Sequence, residues 1–386
     1  MTVANPIQPT SWFNLDKSIL RVSFITFLAI CTFCGAVFIN SGNDPLTFAF
    51  IGTRFSEGNP NGTTGYDGQF VYFIARDGAD AVPYLDGPTL RYQRIIYPLL
   101  GRALALGNAE LVPWTLLLIN IAAHTAGTTA IAWLLFKKNA PVWGALIYGF
   151  WIGNIFAIRF DLNEPLCFTL SLLAIIAYSQ ERYRWTVFLL ILATLTKELG
   201  AVFAAGLALH CALTRMKWRW ASLVVGAPII AFLSWWGVMK LWLGTLPTQY
   251  PAAKIHLIPF EGLFTVLNDN PLLSTGERTL QFLLSFIWLG LPTIVMLALA
   301  IWTIWKNRRL SMTTALLLAC CGFVMVMPDV SWQDLLAAQR IGTVIVLSAI
   351  LFIGEYYPSK MKWIAGLWGS ALLILLILTP LWLNPS

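Results

Sequence analysis

Eleven apolar segments, separated by polar connections, follow one another along the chain and constrain its fold more than any other feature. The segments are 19–39, 111–135, 142–158, 165–178, 185–196, 199–213, 220–242, 280–304, 313–327, 335–353 and 364–383. About 20 apolar residues in a helix cross the roughly 30 Å hydrocarbon core of a bilayer. Only 11% of the residues are charged, whereas soluble domains carry roughly 25%. The pattern predicts an all-α polytopic membrane protein with about eleven transmembrane helices.

The charged residues divide unevenly between the two sets of connections that alternate along such a chain. With the N-terminus placed inside, the inner connections hold 14 of the 25 Lys and Arg residues but only 3 of the 18 Asp and Glu residues. Cytoplasmic connections of membrane proteins carry an excess of Lys and Arg. The sequence therefore predicts a cytoplasmic N-terminus and, because eleven is an odd number, a C-terminus on the opposite side.

The apolar segments continue without a linker or an internal repeat, so we predict a single membrane domain over residues 1–386. The outer connections 40–110 and 244–278 are longer than a link between helices requires, and long loops in compact proteins are usually functional. In the first connection, two short apolar stretches, 66–74 and 94–106, carry charges at their ends. We predict that both are helices lying in the outer membrane interface.

A second anomaly lies in residues 182–217, where basic clusters at both ends belong on the inner side while Lys197 and Glu198 interrupt the middle. Two helices joined as a hairpin satisfy this arrangement. The first helix, 185–196, has only 12 residues, which is roughly 18 Å against a hydrocarbon core of about 30 Å. The turn at Lys197 is thus predicted to lie below the outer surface, where polar backbone requires surrounding protein or a water-filled cavity.

Asp67 is the first candidate for chemistry. It lies in Gly65-Tyr66-Asp67-Gly68-Gln69, where the flanking glycines let a ligand approach the backbone closely. At the start of a helix the macrodipole favours an ionised carboxylate, which accepts a proton or holds a cation. The alternative is a solvated N-cap, the commoner role of aspartate in such a place.

Several arginines stand on the outer side, against the topological bias. Arg91 and Arg94, together with Tyr92 and Tyr97, are candidates to hold a phosphate, because a guanidinium grips phosphate oxygens in pairs. Arg340 lies near the outer end of its apolar segment and is a candidate for anion binding. The alternative for all three arginines is a long side chain that snorkels to lipid phosphates or to water.

Glu164, Lys197 and Glu198 complete the candidate set. Glu164 belongs to a polar turn between two apolar segments, and Lys197 and Glu198 form the predicted hairpin turn. Charged residues at membrane depth are usually functional. Two alternatives remain: Glu164 belongs to an ordinary solvated turn, or Lys197 and Glu198 pair with each other.

Other chemistries lack a motif in this sequence. The histidines, His124, His210 and His256, are scattered without the spacing of metal ligands, so neither a metal site nor a cofactor is predicted. The sequence contains no Gly-rich phosphate loop, no Ser-His-Asp pattern and no nucleic-acid-binding motif.

The order of the candidate motifs resembles that in the polytopic glycosyltransferases of the GT-C superfamily. The motifs are 65–72 (GYDGQFVY), 91–100 (RYQRIIYPLL), 163–166 (NEPL) and 195–198 (LTKE). The likeness covers residues 19–215, and beyond them only Arg340 matches a late basic residue of that family. The mannosyltransferase and aminoarabinose transferase branches are similar in layout. We expect no appended soluble domain like theirs, and the first motif has no Asp-x-Asp or Asp-Glu pair, so the resemblance does not support use of a metal.

The resemblance implies that Asp67 is a general base, which takes a proton from an acceptor hydroxyl as that hydroxyl attacks the anomeric carbon with inversion. It implies a polyprenyl-phosphate sugar donor presented from the bilayer, and leaves open whether the acceptor is a glycan, a lipid or a protein. The residues expected to bind the donor phosphate are Lys197, Arg340, Arg91 and Arg94, and those expected elsewhere in the cavity are Tyr66, Gln69, Glu164 and Glu198. We expect this site on the extracytoplasmic face of a bacterial inner membrane.

Two other functions fit parts of the sequence. A transporter or flippase for a lipid-linked or anionic solute would also place basic residues in an outward cavity. A transporter should show related halves and charges near the bilayer midplane, whereas the charges here cluster at one face. If the protein were a structural subunit of a membrane complex, Asp67 and Lys197 would have no functional role.

Overall fold

The structure, a computed structural model, describes residues 16–215, 217–250, 256–268 and 273–377. Within these ranges every regular element is helical, which confirms the predicted all-α class. The α-helices are α1 (Lys17–Asn40), α2 (Thr53–Ser56), α3 (Gly68–Asp77), α4 (Pro88–Tyr92), α5 (Ile96–Leu104), α6 (Val112–Lys137), α7 (Leu146–Gly149), α8 (Ile152–Arg159), α9 (Glu164–Ser179), α10 (Tyr183–Thr196), α11 (Gly200–Arg215), α12 (Trp218–Leu243), α13 (Glu261–Asn268), α14 (Thr275–Ser285), α15 (Leu291–Asn307), α16 (Met312–Met325), α17 (Asp329–Gln333), α18 (Leu335–Ile341), α19 (Thr343–Tyr356), α20 (Met361–Gly369) and α21 (Leu373–Ile377). A π turn, Phe286–Gly290, joins α14 to α15.

Five helical stretches of the described chain are long and apolar enough to cross a membrane. They are Lys17–Asn40, Ala109–Lys137, Trp218–Leu243, Thr275–Asn307 and Leu335–Tyr356. The pair Val142–Gly149 and Ile152–Arg159, bent by 48° at its break, is a sixth if it forms one broken span. Helices α9, α10, α11 and α16 are apolar but shorter. The chain is therefore an all-helical integral membrane protein. The number of eleven crossings remains a prediction, and the last predicted segment, 364–383, extends outside the described residues.

Burial separates the core helices from those at the surface. In α19 every residue from Thr343 to Gly354 is buried, as expected of a helix that is apolar all round. In α12, by contrast, the side chains of Ile230 and Leu241 are 66% and 90% exposed. Apolar side chains that remain exposed on such a helix suit a lipid environment.

The predicted break in residues 182–217 is confirmed. Helix α10 ends at Thr196 and α11 begins at Gly200. At the other end of the pair, Nζ of Lys217, which follows α11, lies 3.5 Å from the hydroxyl of Tyr183, the first residue of α10. The two helices therefore form a hairpin that returns both basic clusters to the same end of the molecule.

Residues assigned to the same side of the membrane also meet in space. Lys138 and Glu355 belong to different predicted inner connections, and their side chains form an ion pair at 3.1 Å. The candidates assigned to the outer side gather instead around Asp67, as described below. This grouping agrees with the predicted topology, while the side on which each group lies remains a prediction.

The first outer connection contains the two predicted short helices, observed as α3 and α5. Residues Gly68 to Ala75 of α3 are all buried, with α5 and α6 packed against the helix, and its predicted position in the membrane interface remains a prediction. Helix α5 exposes Leu99 and Leu104, as an interfacial helix should. The second long connection contains α13, and parts of it, 251–255 and 269–272, lie outside the described residues.

Candidate functional site

Close contacts at the start of α3 position Asp67. A side chain at Gly68 would overlap the carbonyl oxygen of Phe160, so only glycine allows the turn before α9 to approach this closely. The rings of Tyr66 and Phe160 pack with their centroids 4.7 Å apart. These contacts hold the beginning of α9, where Glu164 lies, beside Asp67.

The Asp67 carboxylate does not cap α3, so the N-cap alternative is wrong. Its Oδ1 accepts a 2.9 Å hydrogen bond from Nη1 of Arg91, and its Oδ2 lies 3.5 Å from Nη2 of Arg340. The side chain is 34% exposed. Asp67 is therefore held between two arginines and still open to a ligand.

Arg91 is fixed by a second carboxylate. Its Nε and Nη2 donate a forked pair of hydrogen bonds, 2.7 and 2.6 Å, to Asp86, and its guanidinium lies 4.1 Å from the ring centroid of Phe70. The side chain is 13% exposed. Arg91 is therefore a bridge between Asp67 and Asp86 inside the protein, and the snorkelling alternative is wrong for it.

The predicted role of two tyrosines beside these arginines is wrong. The Tyr92 hydroxyl donates to the carbonyl of Gly78 at 2.6 Å, and the Tyr97 hydroxyl donates to the carbonyl of Leu116 at 3.0 Å. Both tyrosines are buried in the packing of the first outer connection. Their hydroxyl groups hold backbone rather than a ligand.

The hairpin turn provides two further ion pairs. Arg94 donates from Nη2 and Nε to Glu198 at 2.6 and 3.0 Å, and Nζ of Lys197 donates to Oε1 of Glu164 at 2.6 Å. Lys197 and Glu198 thus use different partners, so the alternative in which they pair with each other is wrong. Glu164 is 1% exposed, which excludes an ordinary solvated turn.

Arg340 enters the site from the other half of the chain. It is 4% exposed, so the snorkelling alternative is wrong for this arginine as well. Its Nη2 and Nη1 lie 3.5 Å from Asp67 and 3.5 Å from Glu164. Its Cζ lies 5.1 Å from the ring centroid of Tyr66.

A narrow, partly open cavity lies among these side chains. Its lining consists of Asp67, Phe70, Val71, Ile74, Arg91, Arg94, Pro98, Leu162, Asn163, Glu164, Lys197 and Arg340. The predicted cavity residues Tyr66 and Glu198 touch cations of this lining without joining it. Gln69 also lies outside the lining, because its amide group accepts from Gly52 N at 3.1 Å and donates to the carbonyl of Thr64 at 2.7 Å.

The surrounding charges determine the protonation of the two partly exposed carboxylates. Burial acts to raise the pKa of Asp67, but the guanidiniums of Arg91 and Arg340 outweigh it and hold this pKa below its usual range. Burial likewise acts against the ionised form of Glu198, and Arg94 outweighs it and helps to lower this pKa to about 2. Both carboxylates are therefore ionised at neutral pH.

Sequence reasoning missed the roles of Asp86 and Asp334. Asp86 precedes Gly87-Pro88, a helix-start signal, which could have marked it as lying close to Arg91. Asp334 accepts from the Tyr66 hydroxyl at 2.6 Å, and this pairing between distant parts of the chain has no local signal.

The described residues contain no group of three or more His, Cys, Asp and Glu side chains arranged to hold a metal ion. His124 lies 2.9 Å from the carbonyl oxygen of Gly149, and His210 lies 2.7 Å from the hydroxyl of Tyr178. These two histidines therefore serve helix packing away from the cavity.

Fold and site together define an all-helical integral membrane protein with a buried cluster of paired acids and bases at one end. Comparison with protein-family models, with curated proteins and with solved structures gives no match. The resemblance to the GT-C superfamily therefore rests on the sequence motifs.

Proposed function

We propose that the protein is a membrane glycosyltransferase of the GT-C type, which moves a sugar from a polyprenyl-phosphate donor to an acceptor hydroxyl on the extracytoplasmic face. The observation that carries the proposal is the cavity, in which an ionised and partly exposed carboxylate, Asp67, lies among four cations. A carboxylate supplies a base for the acceptor, and cations supply countercharge for a departing phosphate.

In the proposed reaction, Asp67 takes the proton of the acceptor hydroxyl while the hydroxyl oxygen bonds to the anomeric carbon. The bond between that carbon and the phosphate oxygen breaks, and polyprenyl phosphate leaves with the electron pair. Attack from the side opposite the leaving group inverts the anomeric centre. The cations available to stabilise the charge that develops on the phosphate are Arg91, Arg94, Lys197 and Arg340.

The apolar part of the lining supports a lipid-linked donor. Phe70, Val71 and Ile74 come from α3, and Pro98 comes from α5. Helix α5 also exposes Leu99, the neighbour of Pro98, at the protein surface. An isoprenoid chain requires apolar surface of this kind next to the groups that bind its phosphate.

A transporter or flippase for an anionic solute is the second candidate. It is favoured by the buried Arg340, since a cation beside a cavity suits anion binding whether or not chemistry follows. The two functions differ in their need for Asp67. An enzyme requires its proton acceptor, whereas transport of an anion does not.

The test is transfer in vitro from a panel of polyprenyl-phosphate sugars by purified protein. Asp67→Asn keeps the shape of the side chain but removes the proton acceptor, so transfer should fall by roughly 10²- to 10⁴-fold. Asp77→Asn is the matched control, because Asp77 lies at the other end of α3 and pairs with Arg76 at 2.7 Å outside the cavity. Wild-type turnover by folded Asp67→Asn protein would exclude Asp67 as the base, whereas absence of transfer by wild-type protein from every donor would favour the transporter.

A further inference from the structure

We infer that Arg340 is the residue that binds the anionic group of the ligand, and that Asp67 and Glu164 are its counterions until this group binds. That the anion is a lipid-linked phosphate rests on the proposed function. Binding of the anion then releases Asp67 from one of its two arginines, so the ligand itself prepares the carboxylate to accept a proton.

Hydrogen bonding distinguishes Arg340 from the other cations of the cavity. Arg91, Arg94 and Lys197 each donate hydrogen bonds of 2.6 to 3.0 Å to carboxylates. Within the part of the chain that the structure describes, the Arg340 side chain donates none. Its two carboxylate contacts are both 3.5 Å long, beyond the usual range of an N–H···O hydrogen bond.

Burial makes this shortage of partners costly. Arg340 is 4% exposed, and its Nε is buried without a hydrogen-bond partner among the described residues. A guanidinium carries five N–H donors, and a buried donor left unpaired loses its hydrogen bonds to water without replacement, a penalty that is larger for a charged group. An incoming anion would satisfy these donors, whereas the other three cations would first have to give up short hydrogen bonds.

An anion could displace both carboxylates that face Arg340 from this guanidinium. A phosphate binds a guanidinium with two parallel hydrogen bonds and should displace contacts as long as 3.5 Å. Asp67 would keep Arg91 at 2.9 Å, and Glu164 would keep Lys197 at 2.6 Å. Neither carboxylate is then left without a partner.

Asp67 becomes a stronger base in this exchange. It loses the attraction of one cation and gains a negative neighbour, and both changes favour its protonated form. Because coupling between two sites is reciprocal, removal of the Asp67 charge must also strengthen anion binding. The phosphate-bearing substrate should therefore bind before the acceptor hydroxyl gives up its proton.

Binding measurements test this without requiring turnover. We would titrate purified protein in detergent with farnesyl phosphate, a short polyprenyl phosphate, and separately with inorganic phosphate, by calorimetry. Asp67→Asn should bind farnesyl phosphate about tenfold more tightly than wild type, and Arg340→Gln should bind it at least about tenfold more weakly. Asp77→Asn, outside the cavity, should match wild type.

One further variant guards against misfolding, which thermal unfolding detects. Arg340→Lys keeps the charge but loses the paired donors, so its binding should also weaken. Unchanged affinity in folded Arg340→Gln, or binding in Asp67→Asn no tighter than in wild type, overturns the inference.

The other outcomes separate this inference from the proposed function. If the variants show the expected binding pattern but no donor supports sugar transfer, the anion site at Arg340 is supported and the proposed glycosyltransferase function is rejected. If sugar transfer depends on Asp67 but Asp67→Asn binds farnesyl phosphate as wild type does, the glycosyltransferase function is supported. The proposed competition between Asp67 and the anion for Arg340 is then rejected. Inorganic phosphate that binds as tightly as farnesyl phosphate overturns the lipid-linked identity of the anion.

Discussion

The Tyr66 hydroxyl donates a 2.6 Å hydrogen bond to Oδ2 of Asp334, while Oδ1 of the same carboxylate accepts from the backbone N–H of Leu336 at 2.9 Å. Asp334 is the N-cap of α18, the helix that carries Arg340. One carboxylate thus joins the residue next to Asp67 to the start of α18. This link helps to keep Arg340 within 3.5 Å of Asp67.

Tyr66→Phe tests that link. The ring would stay beside Arg340, but Asp334 would lose one hydrogen bond, so we expect the free energy of unfolding to fall by about 2 kcal/mol, as for a hydrogen bond to a charged group. Thermal unfolding in detergent measures the change. Tyr84→Phe is the control, because its hydroxyl makes no hydrogen bond within the described ranges. Equal melting temperatures for the two variants would contradict the role of the Tyr66 hydroxyl.

The pair between Arg94 and Glu198 predicts a dependence of stability on pH. Burial opposes ionisation of Glu198, but Arg94 outweighs it, and the pKa falls from 4.5 to about 2. A carboxyl with a lowered pKa stabilises the fold above its unfolded pKa, and this contribution is lost as the pH falls toward the folded pKa. Wild type should therefore be more stable than Glu198→Gln above pH 4.5, and the difference should shrink between pH 4.5 and 2.

Melting temperatures of both proteins across this pH range provide the measurement. Glu110→Gln is the control, since Glu110 is exposed on the connection before α6. A difference between wild type and Glu198→Gln that stays constant with pH would show that the Arg94 pair does not contribute as a charge interaction.

The buried pair between Lys197 and Glu164 should be costly to break from one side. Their side chains are 5% and 1% exposed, and removing one partner of a buried ion pair costs about 3–5 kcal/mol because the other charge stays buried. Lys197→Met should therefore destabilise strongly, and adding Glu164→Leu should recover part of the loss. Lys217→Met, which breaks a pair whose side chains are 42% and 57% exposed, should destabilise far less, because exposed ion pairs contribute little. Denaturant unfolding that ranks these variants in another order would contradict the prediction.

Gly68 should resist replacement. A methyl group there would overlap the carbonyl oxygen of Phe160, and strained packing of this kind costs about 1–3 kcal/mol or more. Gly35→Ala in α1 is the matched control, because a methyl group at Gly35 meets no atom within 4 Å. We expect Gly68→Ala to lower the melting temperature or the yield of folded protein and Gly35→Ala to leave both unchanged. Similar yields and melting temperatures for the two variants would rule out the close contact.

The predicted sidedness is open to cysteine labelling in intact cells. New cysteines at Lys138 and Asn307 should react only when the reagent reaches the cytoplasm, and those at Asn59 and Thr63 should react from outside. All four positions are exposed. The unsubstituted protein is the control, since five of its cysteines are buried and Cys31 is half-buried. Mixed labelling within either pair would reject the topology.

The sequence by itself determined the membrane class, the approximate positions of most apolar helices and the grouping of polar residues. These properties follow from local patterns: apolar length sets which stretches are helical in a bilayer, and the distribution of Lys and Arg separates the connections. The break at Lys197 followed from a segment too short to cross. Asp67 and Arg340 stood out as charged residues at unusual positions, which is also a local property.

Only the tertiary structure decided which charges meet. Lys197 selects Glu164 rather than its neighbour Glu198, and Arg340 alone among the cavity cations lacks short hydrogen bonds within the described chain. Such choices depend on which helices become neighbours. Apolar helix surfaces gain little from one another that lipid does not offer, so packing shape and a few polar contacts select the neighbours. Contacts of that kind join distant parts of the chain, and no local pattern in the sequence records them.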